Sequence, residues 1–300
     1  MSIEIMPEDP PSARLGYQAS EPVFADSQPL TLIRPSRGWQ LINVGELWQF
    51  RELLYFLAWR DVKVRYKQTL LGAAWAILQP LLMMAVFSVF FGRLAGVNTD
   101  GLPYPLFVFA GLLPWTFFGT AISSAGNSVV GSERLITKIY FPRLAVPFAS
   151  VGAALVDFAI AFGMLFVLMI FYATPPSWSL LLTPALVVLI VLAALGVGTL
   201  LAALNVAFRD FKHVIPFLVQ LWMFATPTVY MQPGSGTFAG WRQILLLNPM
   251  IGLVGAFRSA TLGKPIEWPQ LSLSAAIAVL LFVVGCFYFR RVEDSFADVI

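Results

Sequence analysis

Six long apolar runs separated by polar connections dominate this chain: residues 70–91, 104–126, 144–172, 180–205, 214–231 and 271–289. A helix rises about 1.5 Å per residue, so about 20 residues cross a hydrocarbon core of about 30 Å. The runs predict an all-α integral membrane protein with six transmembrane helices. The third is long enough to tilt or to extend past the membrane. The fifth is short and is interrupted by Pro216 and Pro227.

The stretches between the runs carry their own patterns. In Glu46–Thr69, polar Gln49, Glu52, Arg60, Lys63 and Lys67 approximate one helical stripe, and Leu47, Phe50, Leu54 and Leu57 another. Trp48, Tyr55 and Trp59 suit the headgroup layer. This predicts an amphipathic helix in the cytosolic interface; packing of the same face on a partner is the alternative. In Gly131–Arg143 (GSERLITKIYFPR), Ser132 is a candidate N-cap, Glu133 follows in the first turn, and Leu135, Ile136, Ile139 and Tyr140 share a helical face that Pro142 ends. A second connection, about 232–270, is long yet largely apolar, with Asn248-Pro249 as a helix start and Gly263 as its stop. About 14 helical residues cannot span a bilayer, so this predicts a re-entrant helix pair between spans five and six.

Composition agrees with the runs. Apolar residues are 58% and charged residues 12% of the chain, against about 25% charged in a soluble domain. The net charge of +3 is too small to suggest nucleic acid as a partner. Basic residues set the orientation. Eight precede the first run; Arg134, Lys138 and Arg143 follow the second, Arg209 and Lys212 the fourth, and Arg290 and Arg291 the sixth, which makes fifteen of the 19. Only Arg93, Arg242, Arg258 and Lys264 fall on the other side. By the positive-inside rule both termini are cytosolic. Residues 1–40 are expected to be a disordered tail without the apolar core of a signal peptide, and 41–300 the membrane domain.

Candidate chemistry is sparse. Asp157 sits near the middle of the third run, where a carboxylate costs at least about 2.5–3.5 kcal/mol to insert and so must face protein or water. It is either a hydrogen-bonded structural group or a proton-pathway residue, and the lack of a membrane His, Lys or second acid beside it favours the former. Cys286 and His213, each the only one of its kind, suggest no metal site and no nucleophilic triad. Arg209-Asp210 reads as a local pair at a helix end. Trp115, Phe117, Phe118, Trp222, Phe224 and Tyr230 are candidates for stacking on sugars, although packing and interfacial belts use the same rings. No phosphate-binding Gly-x-x-x-x-Gly-Lys-Ser/Thr loop occurs; Gly263-Lys264 is followed by Pro265. Energy must come from a partner or a gradient, or the protein is a passive pore.

Four stretches carry a resemblance: Arg60–Pro80 (RDVKVRYKQTLLGAAWAILQP), Ile139–Arg143 (IYFPR), Leu204–Tyr230 (LNVAFRDFKHVIPFLVQLWMFATPTVY) and Leu247–Gly252 (LNPMIG). From about residue 35 to 295 the chain resembles the permease subunits of type-2 bacterial ABC exporters, in particular those for O-antigen and related lipid-linked polysaccharides. The resemblance implies an inner-membrane homodimer paired with two ATPase subunits. ATP and Mg would sit on those partners, with no cofactor and no enzymatic activity in this chain. It also implies a coupling helix at Ser132, Glu133, Arg134, Leu135, Ile136, Lys138, Ile139 and Tyr140, a gate helix at about 46–65, and a periplasmic gate at about 242–262 that includes Asn248, Pro249, Met250 and Arg258. Undecaprenyl-diphosphate-linked glycan is the implied cargo, carried along a channel between the protomers.

From charge alone, Arg51, Arg60, Lys63 and Arg65 are candidates for meeting the diphosphate, with anchoring to anionic membrane lipids as the alternative. Teichoic acid, capsule and small-molecule export remain alternatives within the superfamily. A proton-coupled transporter using Asp157 is an alternative outside it. A glycan-transferring membrane enzyme would need paired acids or a metal site near the surface, and the sequence offers neither.

Overall fold

A computed structural model describes residues 44–67, 72, 74–94, 99, 101–226, 228, 247–293 and 296, all within the unit Trp39–Ile300. The tail 1–40, Tyr230 and residues 231–246 of the expected re-entrant pair lie outside the described residues.

Every regular element among the described residues is helical. They are α1 (Val44–Gln49), α2 (Arg51–Lys67), α3 (Ala74–Phe87) continuing into a π-helical stretch Ser88–Leu94, α4 (Tyr104–Gly131), α5 (Glu133–Ile136), α6 (Ala145–Phe171), a 3-10 turn Trp178–Leu182 leading into α7 (Thr183–Ala207), α8 (Phe211–Phe224), α9 (Pro249–Leu262) and α10 (Trp268–Val292). Among the described residues five segments are long and apolar enough to cross a membrane: Ala74–Gly92, α4, α6, Trp178–Ala207 and α10.

The fifth predicted run differs from expectation. It forms a helix of 14 residues, α8, which at about 1.5 Å per residue is about 21 Å long and too short to span alone. It nevertheless travels along α4. A Cβ on Gly126 would meet Ile215 at 2.7 Å, one on Gly119 would meet Val219 at 3.0 Å, and one on Gly111 would meet the Thr228 carbonyl at 2.3 Å. Ile215, Val219 and Thr228 therefore lie beside Gly126, Gly119 and Gly111, positions of α4 that span fifteen residues, about 22 Å. Glycine at 111 is what lets the non-helical stretch past Ala225 lie against α4.

α4 is the most enclosed helix, with Leu106, Val108, Phe109, Phe118 and Ala121 fully buried. α6, α7, α8 and α9 pack around it. α7 and α10 approach closely at two glycines. A Cβ on Gly285 would lie 2.0 Å from the Gly196 carbonyl oxygen, and one on Gly196 would lie 2.4 Å from the backbone of Leu281. Small residues at such crossings let membrane helices gain dispersion contact without a hydrophobic driving force.

The bundle has two distinct ends. At one, Leu57, Val129, Ile136, Phe141, Leu144, Val206, Phe289 and Phe296 form a single apolar cluster that joins α2, α5 and the ends of α4, α7 and α10. Nearby, Asn205 donates to the Gly126 carbonyl at 2.9 Å, which fixes α7 to α4. At the other end α9 lies over the start of α4, the start of α10 and the 3-10 turn. There a Cβ on Gly252 would meet the Ser274 hydroxyl at 2.3 Å, and the Ser179 hydroxyl donates to the Ala260 carbonyl at 2.9 Å.

Candidate functional site

The central feature is a charged junction on α6. Asp157 lies twelve residues into α6, about 18 Å from its start and close to the middle of the helix. One carboxylate oxygen accepts from the Arg65 guanidinium and the other from the Tyr66 hydroxyl, both on α2. Arg65 also reaches the Ser124 hydroxyl of α4 at 3.5 Å. Lower on α6, the Ser150 hydroxyl donates to Asp61 at 3.2 Å, and a Cβ on Gly152 would touch Ala58 at 3.8 Å. Ala58 and Asp61 meet α6 at Gly152 and Ser150, and Arg65 and Tyr66 meet it further on at Asp157, so α2 leans on α6. Burial raises the Tyr66 pKa above 10.0, opposed by the Arg65 charge, so the hydroxyl stays protonated and donating. The junction borders a cavity of about 290 Å³ lined by Arg65, Tyr66, Pro80, Phe117, Asp157 and Phe158, among others.

The residues of α2 divide between packing, pairing and exposure. Leu57 is buried, and Phe50, Leu53, Leu54 and Ala58 pack on the apolar cluster, so the predicted apolar stripe is used for packing. Arg65, one of the candidates for the diphosphate, pairs with Asp157. Arg60 pairs with its neighbour Asp61 at 2.9 Å. Arg51 lies 5.6 Å from the Trp48 ring centre and Lys63 5.5 Å from that of Trp59. On the outer face of α2, Phe56, Trp59, Arg60, Lys63, Val64 and Lys67 line a groove of about 450 Å³.

The predicted helix over 132–141 is a single turn, α5 (Glu133–Ile136). Ser132 precedes it, buried, and makes no side-chain cap bond. The Thr137 hydroxyl donates back to the Glu133 carbonyl at 3.0 Å, which closes the turn, and Pro142 prevents its resumption. The expected apolar face is thereby split. Ile136 is buried in the cluster and Leu135 packs on it, while Ile139 and Tyr140 are exposed at 56% and 71%. Glu133, Arg134 and Lys138 are also exposed.

At the opposite end, Asn248 is a junction. Its Oδ1 accepts from the Met250 backbone N–H at 3.0 Å, capping α9, and from the Trp222 indole N–H at 2.8 Å. Its Nδ2 donates to the Thr226 hydroxyl at 2.9 Å. Pro249 occupies the first turn of α9, and Gly263 ends the helix at φ 70. Met250 is fully buried. The Arg258 guanidinium lies over the Phe107 ring at 4.0 Å.

Of the aromatic candidates, Trp115, Phe117 and Phe118 are buried; Phe117 lines the cavity beside Asp157, and Phe118 meets Trp222 edge-on at 5.1 Å. Phe224 is exposed, and Tyr230 lies outside the described residues. Among the described residues no three His, Cys, Asp or Glu side chains cluster as metal ligands would.

Comparison with known proteins places these features in context. Residues 52–262 match the ABC-2 type transporter family. The chain is 33% identical over 253 residues to the O-antigen export system permease protein RfbA of Myxococcus xanthus, an alignment covering 84% of this chain and 96% of that protein. It is 26% identical over 262 residues to the RfbA permease of Klebsiella pneumoniae, covering 86% and 97%. It is 23% identical over 245 residues to the polysialic acid transport protein KpsM of Escherichia coli, covering 79% and 92%.

Proposed function

We infer the function from one premise: this chain belongs to the ABC-2 type transporter family. It is the membrane subunit of an ATP-driven exporter of lipid-linked polysaccharide of the O-antigen type. The observation that carries this reading is the similarity to O-antigen export permeases over nearly their whole length. ATP is hydrolysed on a separate subunit, and this chain carries the cargo.

Six crossings are our reading of the topology. The passage of Phe211–Thr228 along α4 supports counting α8 and the stretch after it as the fifth, with both termini cytosolic and the chain in the inner membrane. The α5 end is then cytosolic and the α9 end periplasmic. Ile139 and Tyr140, exposed beside a buried Ile136, form the contact for the ATPase subunit. Force on them passes through Phe141 and Leu144 into α6, and through Asp157 and Arg65 into α2. A second copy completes the channel, and α2 and α9 gate its two ends. Arg51, Arg60 and Lys63 remain the cations for a diphosphate headgroup.

Capsule export is the second reading, favoured by the similarity to KpsM. The proton-relay reading of Asp157 finds no support in its surroundings, since the carboxylate is held by a fixed cation and a phenol. Deleting the gene in its host tests the proposal. Surface O-antigen should disappear while lipid-linked polymer accumulates inside. Undiminished surface polymer overturns it.

A further inference from the structure

Arg258 is a cation whose donors are incompletely used. Its guanidinium lies flat on Phe107, a contact that fixes the plane of the group but uses none of its N–H donors. Its Nη1 is buried and has no hydrogen-bond partner among the described residues. A buried charged donor left unsatisfied costs more than most lost contacts, so such a group calls for an acceptor.

Space for that acceptor adjoins it. A cavity of about 340 Å³ is lined by Arg258 together with Thr99, Phe107, Ser259, Lys264 and Gln270. Its size falls in the range of about 300–1,000 Å³ typical of small-ligand sites. The second cation is delivered by the end of α9. Gly263 at φ 70 turns the chain, and the Lys264 backbone N–H donates to the Ser259 carbonyl at 2.9 Å, folding Lys264 back toward Arg258. Glu267 also lines the cavity, so the lining holds two cationic side chains and one carboxylate.

We propose that this cavity is a phosphate-oxyanion site, in which Arg258 makes the primary contact and Lys264 supplies the second charge. Its sidedness and its natural occupant rest on the exporter reading. On that reading it takes the diphosphate of the polyprenyl carrier as the cargo emerges under α9, chemistry that the headgroup of an anionic membrane phospholipid shares. Occupancy would tie α9 to the start of α4 through Arg258 and Phe107, so the departing headgroup is read by the helix that must move to release it.

The test uses the full chain in a phosphate-free maltoside, with Ser259→Cys as a reporter and Cys286→Ser as background. The rate of thiol labelling is measured with undecaprenyl diphosphate, phosphatidylglycerol, or the neutral alcohol undecaprenol. Undecaprenyl diphosphate should slow labelling, undecaprenol should not, and Arg258→Gln should raise the half-protecting concentration about tenfold. Arg258→Lys should retain part of the protection, and Lys264→Gln, at the end of α9, provides a second variant should Arg258→Gln not fold. Equal protection by phosphatidylglycerol keeps the oxyanion assignment and makes a membrane lipid the occupant. Protection by undecaprenol equal to that by the diphosphate, no protection by any compound, or protection unchanged in Arg258→Gln and Lys264→Gln overturns the site. Such a failure leaves the gene-deletion result untouched, so it is distinguishable from failure of the exporter reading.

Discussion

Arg65 of α2 donates to Asp157 of α6, a residue 92 positions further along the chain. The pair binds a helix of the N-terminal region to the middle of a membrane span. Both side chains keep some exposure, 31% and 23%, so the pair is only partly desolvated. Removing one partner should cost about 1–3 kcal/mol, most of it from the partner left behind. Arg65→Leu and Asp157→Leu should therefore each lower thermal stability in detergent, and the double variant should lose less than the sum by about 0.5–3 kcal/mol. Strict additivity would show that the two residues do not interact in the folded protein.

The same junction makes a pH prediction. Asp157→Asn keeps one acceptor oxygen, for Arg65, and turns the other position into an NH2 donor from which the Tyr66 hydroxyl oxygen can accept. Export should fall modestly, and its pH profile should match that of the parent. A profile displaced or flattened by Asp157→Asn would instead give the carboxylate a role in proton movement.

The contrast between Asp157 and its partners shows what was legible in the sequence. A lone carboxylate in an apolar run announces that something must satisfy it. Nothing local says that Arg65 and Tyr66 do so, because their own pattern is that of a surface helix and the pairing is long-range. Start and stop chemistry was legible where it is local, as at Asn248-Pro249 and Gly263. The extent of α5 was not, since apolar spacing at Leu135, Ile136, Ile139 and Tyr140 fits a longer helix while Thr137 and Pro142 close it after one turn. The fifth run was legible as apolar but not in its helical extent. Residues 214–231 are apolar enough for a span, but the helix ends at Phe224, and the Thr228 carbonyl beyond it relies on Gly111 of α4 for room.

The split face of α5 separates folding from coupling. Ile139→Asp and Tyr140→Asp alter exposed side chains and should change stability by no more than about 0.5 kcal/mol. They should abolish transport-coupled stimulation of the partner ATPase while the permease remains inserted. Ile136→Asp puts a charge into the apolar cluster and should prevent accumulation of folded protein. ATPase stimulation and export at parental levels in Ile139→Asp/Tyr140→Asp would remove α5 from the coupling role.

The contact of Gly196 with Gly285 permits no side chain. A Cβ on Gly285 would also stand 2.8 Å from the Thr199 hydroxyl, so α7 and α10 must separate to admit one. Overpacking of this kind costs about 1–3 kcal/mol. Gly285→Val should lower the melting temperature and the yield of monodisperse protein more than Val283→Ala, which trims an exposed position on the same helix. Equal stability of the two variants would mean that α7 and α10 do not meet at this point.

Asn248 performs two tasks that substitution can separate. Its Oδ1 caps α9 and holds the Trp222 indole, and its Nδ2 ties the helix start to Thr226. Asn248→Asp retains both acceptor contacts but loses the donor to Thr226, so α9 keeps its cap while its tether to the chain beyond α8 weakens. Asn248→Ala loses the cap, worth about 1 kcal/mol, and also leaves the Trp222 N–H without its acceptor. If α9 gates the periplasmic side, the tether sets how readily it moves. Asn248→Asp should then leave hydrogen exchange of the first turn of α9 near the parental rate while changing the rate of polymer release, whereas Asn248→Ala should raise exchange at Ile251–Val254 as well. Faster exchange in both variants with no change in release would make Asn248 a stabilising cap and nothing more. Altered release in Asn248→Asp with the cap intact would locate the control of the outer gate in the bond between Asn248 and Thr226.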